Sequence, residues 1–220
     1  MTGPKISVVV VEDDDLIRSA FEALVNAQPD MACTGTAPDG FTGVELARSR
    51  RPDVVLMDIQ MPRLDGISAT ARICRATGNT RVVVLTTFDV EDNLMAALRA
   101  GASGFLSKTC RTTEMLDAIR AASAGDSLIS PHLIGHLIKR ALADHASAPG
   151  PARPHLVPPL TPREAELAAL VGRGLSNEEI AGALRLSPAT VKTYVSRLLA
   201  KTGSRDRAQL VIYAYEHALA

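Results

Sequence analysis

Four consecutive apolar residues, Val54-Val55-Leu56-Met57, run straight into an acid, Asp58, and then into the turn residues Met61-Pro62 and Asp65-Gly66. Four is too few for a helix, so the run reads as a strand buried on both faces. The carboxyl ends of strands in open parallel sheets are where ligands bind. Asp58 is therefore an acid at the rim of a dry core, with the chain reversing just above it.

The pattern recurs along the first half of the chain. Ile6 to Val11 is a β-branched strand ending in Glu12-Asp13-Asp14-Asp15, and Met31 to Thr36 is a shorter one. Arg81 to Leu85 ends in Thr86-Thr87, and Gly104 to Ser107 ends in Lys108. Helical spacing fills the intervals, for instance Leu16, Ile17, Ala20, Phe21, Leu24 and Val25. Further helices are expected over Phe41 to Arg48, Ile67 to Arg75, Glu91 to Ala100 and Thr113 to Ser123. Alternation at this spacing predicts an α/β, doubly wound, parallel five-stranded sheet with all strand ends on one edge.

Glu12, Asp13, Asp58, Thr86 and Lys108 then converge on one rim. Asp14 or Asp15 can cap the following helix, which accounts for one or two of the four clustered acids. Packed like charges repel, so a cation is expected among the rest. Magnesium suits the oxygen-rich donor set, because it keeps several waters and needs only one or two carboxylates. Lys108 can pair with a phosphoryl oxygen and the Thr86 hydroxyl can donate to another, with Asp58 as the nucleophile that forms an acyl phosphate.

At 220 residues the chain accommodates two domains. Its formal net charge of zero argues neither for nor against nucleic acid. The three cysteines, Cys33, Cys74 and Cys110, have no metal spacing and read as free thiols of a reducing cytoplasm. No signal-peptide layout precedes the first strand, and no apolar run approaches the ~20 residues of a membrane span. From Asp126 to His145 an apolar stripe (Leu133, Ile134, Leu137, Ile138, Ala141, Leu142) predicts a helix. His132 and His136 stand four apart on it without a carboxylate neighbour and read as incidental. Ala146 to Pro159 is rich in Pro and Ala, an extended linker that marks the domain boundary.

Beyond Leu160 the pattern is wholly helical. Thr161-Pro162-Arg163-Glu164 and Ser176-Asn177-Glu178-Glu179 are capping boxes, and Ser187-Pro188 opens a third helix that Gly203 stops. A fourth is expected over Arg205 to His217. Two short helices joined by a tight turn describe a helix-turn-helix. The third helix puts Val191, Val195, Leu198 and Leu199 on one face and Lys192, Thr193 and Ser196 on the other. Between Ser187 and Arg207 stand five bases (Lys192, Arg197, Lys201, Arg205, Arg207) and one acid, Asp206. A helix so furnished fits the major groove of double-stranded DNA, with bases gripping phosphates.

Val10-Val11-Glu12-Asp13, Met57-Asp58-Ile59-Gln60-Met61-Pro62-Arg63-Leu64-Asp65-Gly66, Leu85-Thr86-Thr87 and Gly101 to Lys108 together resemble the receiver domain of two-component response regulators. The resemblance implies Asp58 as phosphoacceptor and Glu12 and Asp13 as the acidic pair, aligned on Arg18. Asp13, Asp58 and the Gln60 carbonyl would ligate Mg2+, with Thr86 and Lys108 contacting the phosphoryl group. Phe105 falls at the aromatic switch position, a role with which half-buried packing is compatible. The chain has Thr109 where the family often has proline.

Leu160 to Glu164, Leu175 to Ala181 and Ser187 to Val195 look like the LuxR/NarL-type DNA-binding domain. This resemblance implies that Lys192 and Thr193 face bases and that Lys201 and Arg205 sit near phosphates, with Ser196 and Arg197 on the same surface. The domains are then a receiver over 1–125, a linker with one helix over 126–159 and a helix-turn-helix domain over 160–220. The implied protein is a cytoplasmic transcription factor rather than an enzyme. A sensor histidine kinase phosphorylates it, and it pairs as a homodimer on activation. A magnesium phosphatase is the rival from another class, but Gln60 stands where such enzymes often need a second Asp. A regulator with a vestigial acidic site is the third reading; all five site positions being filled argues against it.

Overall fold

The apolar runs form one parallel sheet of five strands in the order β2-β1-β3-β4-β5 in a computed structural model that describes residues 4–86, 90–125, 160–217 and 219. Its elements alternate: β1 (Ile6–Val11), α1 (Asp15–Asn26), β2 (Met31–Ala37), α2 (Gly40–Arg50), β3 (Val54–Asp58), α3 (Gly66–Ala76), β4 (Arg81–Thr86), α4 (Val90–Ala100), β5 (Gly104–Ser107) and α5 (Thr112–Ser123). The chain divides into two compact units, Met1–Ile129 and Ser130–Ala220. The expected connector helix, its two histidines, the Pro-rich segment and Thr87 lie outside the described residues.

β3 is central, and Val54 to Met57 have no solvent exposure at all. That is why its sequence is a continuous apolar run rather than an alternation. Val8, Val10, Leu56, Val83, Leu85, Leu106 and Ile119 close the core between sheet and helices. Each such side chain contributes about 1.5–3 kcal/mol on leaving water. Parallel register sets Met57 beside Val11, Asp58 beside Leu85 and Thr86 beside Ser107. The carboxyl ends of β1, β3, β4 and β5 therefore meet at one edge.

Aspartates start the helices on that edge. The Asp14 carboxylate accepts from the Leu16 and Ile17 amides at 2.8 and 3.0 Å, Asp39 from Thr42 at 3.0 Å, and Asp65 from Ser68 at 2.8 Å. Asp14 rather than Asp15 is thus the cap of α1.

The second unit contains α6 (Pro162–Gly172), α7 (Asn177–Leu184), α8 (Pro188–Thr202) and α9 (Arg207–Glu216). Both expected capping boxes form, Thr161 with Glu164 and Ser176 with Glu179. Leu167, Val171, Ile180, Val191, Leu198 and Leu210 form the core. The turn between α7 and α8 passes through Arg185 at φ 54°, a left-handed conformation that usually falls to glycine. The Leu186 amide donates back to the Ala181 carbonyl at 2.9 Å, and Leu186 packs on the core, which holds Arg185 there. The last helix begins at Arg207, two residues later than expected. Asp206 accepts from the Gln209 amide at 3.1 Å and so caps it, leaving Arg205 outside. No helix among the described residues is long and apolar enough to cross a membrane.

Candidate functional site

The sheet brings Glu12, Asp13 and Asp58 to one point, with a carboxylate oxygen of each within 4.8 Å of the others. Glu12 ends β1 and is 1% exposed, Asp58 ends β3 and is 2% exposed, and Asp13 is open to solvent. An ammonium group from the end of β5 reaches into these acids. Lys108 Nζ lies 2.8 Å from both Glu12 oxygens and 3.1 Å from Asp58 Oδ2. Its amide donates to the Thr86 carbonyl at 2.7 Å, so the buried Thr86 fixes the turn that aims Lys108. Arg18 supports the pair from below. Its Nη1 donates to the Glu12 carbonyl at 2.8 Å and its Nη2 pairs with Asp15.

Burial raises the Glu12 pKa, opposed by the Lys108 hydrogen bond and reinforced by the Asp58 charge. Burial likewise raises that of Asp58, opposed by Lys108 and by the Gln60 amide, which donates to the carboxylate. Burial disfavours the Lys108 ammonium too, but the hydrogen bonds it donates to Glu12 and Asp58 outweigh this and its pKa is raised. Three carboxylates thus face one ammonium. The donor set is all oxygen, and the charge excess suits a hard divalent cation.

The loop after Asp58 is pressed onto the strand. The Gly66 amide donates to the Ile59 carbonyl at 2.8 Å, and a Cβ on Gly66 would sit 1.8 Å from the Asp58 carbonyl oxygen. Arg63, at φ 68°, reaches across to the buried Asp39 that caps α2. Spacing gave no sign of that pair, since its partners are separated by a helix, a strand and two loops. Gln60 is exposed. Phe105 is wholly buried rather than half-buried, although β5 is an edge strand.

In the second unit Lys192, Thr193, Ser196 and Arg197 are exposed along α8, opposite the buried Val191, Val195 and Leu198. Thr193 Oγ1 donates to the Ala189 carbonyl at 3.1 Å. The remaining bases behave differently. Lys201 pairs with Glu164 at 2.6 Å, Arg205 is half-buried, and Arg207 hydrogen-bonds Asn177 and the Leu175 carbonyl. Helical spacing placed these side chains on a face but could not show that they fold back onto the unit.

Two family models match the chain. The response regulator receiver domain covers residues 8–120, and the bacterial regulatory proteins of the luxR family cover residues 158–214. The chain is 40% identical over 223 residues to the uncharacterized transcriptional regulatory protein YxjL of Bacillus subtilis, spanning 100% of this chain and 99% of that one. It is 37% identical to the transcriptional regulatory protein LiaR of the same organism, over 97% and 99% of the two chains. Among solved structures it is similar to the response regulator ChrA of a heme-sensing two-component system. That match has a TM-score of 0.53 and 31% identity, and covers 99% and 100% of the two chains. With an acid rim at the strand ends of the first unit, a helix-turn-helix in the second and relatives alike over their whole length, the chain belongs to the response regulators that join a receiver domain to a LuxR-type DNA-binding domain.

Proposed function

We propose that this regulator is switched by phosphorylation of Asp58. The observation that carries the reading is the buried Asp58 carboxylate at the end of the central strand, held by Lys108 within a three-carboxylate cluster. An Asp58 oxygen attacks the phosphorus of a phosphohistidine on a sensor histidine kinase. The P–N bond breaks, and an acyl phosphate forms. Glu12, Asp13, Asp58 and the Gln60 carbonyl would hold Mg2+, which supplies charge neutralisation for the phosphoryl oxygens. Lys108 exchanges its carboxylate partners for a phosphoryl oxygen, and the Thr86 hydroxyl donates to another. Thr86 and Phe105 are the switch residues that carry the change to the unit's surface.

The chain acts as a cytoplasmic regulator and not as a turnover enzyme, with the receiver over 1–125, the linker over 126–159 and the DNA-binding domain over 160–220. Lys192, Thr193, Ser196 and Arg197 meet the major groove of duplex DNA, with Lys201 and Arg205 near its flanking phosphates. One such module neutralises few phosphates; pairing two as a homodimer raises the effective concentration sharply. The half-sites are then spaced by about 34 Å or a multiple of it.

The test is labelling with acetyl phosphate. The full-length chain is expected to take one phosphoryl group in Mg2+, and neither Asp58→Asn nor chelator-treated protein is expected to take any. Unchanged labelling of Asp58→Asn removes Asp58 from its role.

A further inference from the structure

α7 is eight residues long, and its attachment to the core rests on Ile180, Ala181 and Leu184. A helix so short does not persist on propensity alone. Both of its ends are tied to other helices by guanidinium groups. At its start, Arg207 of α9 donates from Nη1 to Asn177 Oδ1 at 2.9 Å and from Nη2 to the Leu175 carbonyl. At its end, Arg163 of α6 donates from Nη2 to the Leu184 carbonyl at 3.3 Å. The Arg207 charge also acts on Glu179, the acid that closes the α7 capping box. Asp206 caps α9 one residue before Arg207 and so fixes the point from which it reaches.

By composition Arg207 belongs with the basic residues that a DNA-binding surface uses on phosphates. In the fold it is half-buried, and its fork is turned inward onto α7. We propose that Arg207 is a positioning residue for DNA recognition. It fixes α7, and through the tight turn at Arg185 the angle at which α8 is presented, and it does not grip phosphate itself. The assignment rests on the groove reading of α8 given above. A planar fork suits this role, because two N–H groups at fixed spacing reach a carbonyl and an amide oxygen together. A lysine ammonium does not reproduce that geometry.

The test uses the full-length chain and a mixed-sequence duplex long enough for two half-sites, with anisotropy titrations across a salt series. Loss of a phosphate contact lowers the slope of log affinity against log salt by about 1. Arg207→Ala is expected to weaken binding about tenfold at every salt concentration with the slope unchanged. Arg207→Lys is expected not to restore it. Asn177→Ala removes an acceptor while keeping every cation, and is expected to weaken binding about threefold, again at constant slope. A slope lower by about 1 in Arg207→Ala, or full recovery in Arg207→Lys, makes Arg207 a phosphate contact and overturns the assignment. So does unchanged affinity in both Arg207→Ala and Asn177→Ala. Should Arg207→Ala fail to fold, Asn177→Ala decides alone.

Lys192→Ala and Arg197→Ala are the controls, each expected to weaken duplex binding. If both are silent, the groove reading of α8 falls, and amide exchange decides on Arg207. Faster exchange over Asn177–Leu184 in Arg207→Ala, with Pro188–Thr202 still protected, keeps the assignment; unchanged exchange removes it.

Discussion

The acid rim of the first unit and the α8 face of the second carry their charges in opposite circumstances. Glu12 and Asp58 are buried, close together and dependent on Lys108, whose own side chain is 12% exposed. Lys192, Thr193, Ser196 and Arg197 are exposed, and no ion pair among the described residues engages Lys192 or Arg197. Removing a partner from a buried set strands a charge in a poorly solvated place, so the rim ties function to stability. Removing an exposed base subtracts only what it would have touched. The rim is preorganised and intolerant of change, whereas the helix face is free to vary its chemistry on an unchanged scaffold.

The sharpest way to break this contrast is Lys108→Met. It leaves Glu12 and Asp58 facing each other, and is expected to destabilise the chain by roughly 3–5 kcal/mol at neutral pH in denaturant unfolding. Glu12 and Asp58 already hold protons more tightly than in the unfolded chain. The unfolded state therefore releases protons first as pH rises, and the loss must shrink as the pH falls and the two acids protonate. A loss that is independent of pH would mean that Lys108 acts by packing alone.

Gly66→Ala follows, with an expected cost of about 1–3 kcal/mol, because its methyl group meets the Asp58 carbonyl. Acetyl phosphate labelling should fall with it; a neutral result would show the loop free to lift. Lys192→Ala should move thermal stability by no more than about 0.5 kcal/mol while weakening duplex binding. A large fall in melting temperature would erase the difference between the two regions.

The smallest effect is expected at Glu164. The Lys201 hydrogen bond, with those from Thr161, holds its pKa down from 4.5 to about 2. The folded value lies below the unfolded one. Its stabilisation is therefore present above pH 4.5 and lost as the pH falls through about 2. Melting curves of the native chain and Glu164→Gln should differ at neutral pH and converge near pH 2; parallel curves would leave the ion pair without weight.

The strand ends were legible because a parallel sheet buried on both faces leaves so plain a mark, a short apolar run broken by one polar residue. Glu12, Asp58, Thr86 and Lys108 could all be found that way. Their mutual contacts could not, because Lys108 meets Glu12 across 96 residues of sequence. Three arginines show a different limit. Arg51, Arg63 and Arg185 all take positive φ, where composition points to glycine. In the second unit the capping boxes fixed two helix starts, yet the fourth helix begins at Arg207 rather than Arg205, because Asp206 is the residue that caps it. Long bases show a face by their spacing, but whether Lys201 and Arg207 extend or fold back depends on acceptors that lie elsewhere in the chain.

The glycine pressed against the Asp58 carbonyl has a mechanical consequence. The main chain there is gripped from two sides, by Gly66 and by the hydrogen bond from the Ile59 amide to Leu85 at 3.2 Å. A bulky anion arriving on the carboxylate finds an anvil beneath it. The strain of its arrival must pass sideways into the neighbouring strand ends, and the backbone that receives the blow stays still.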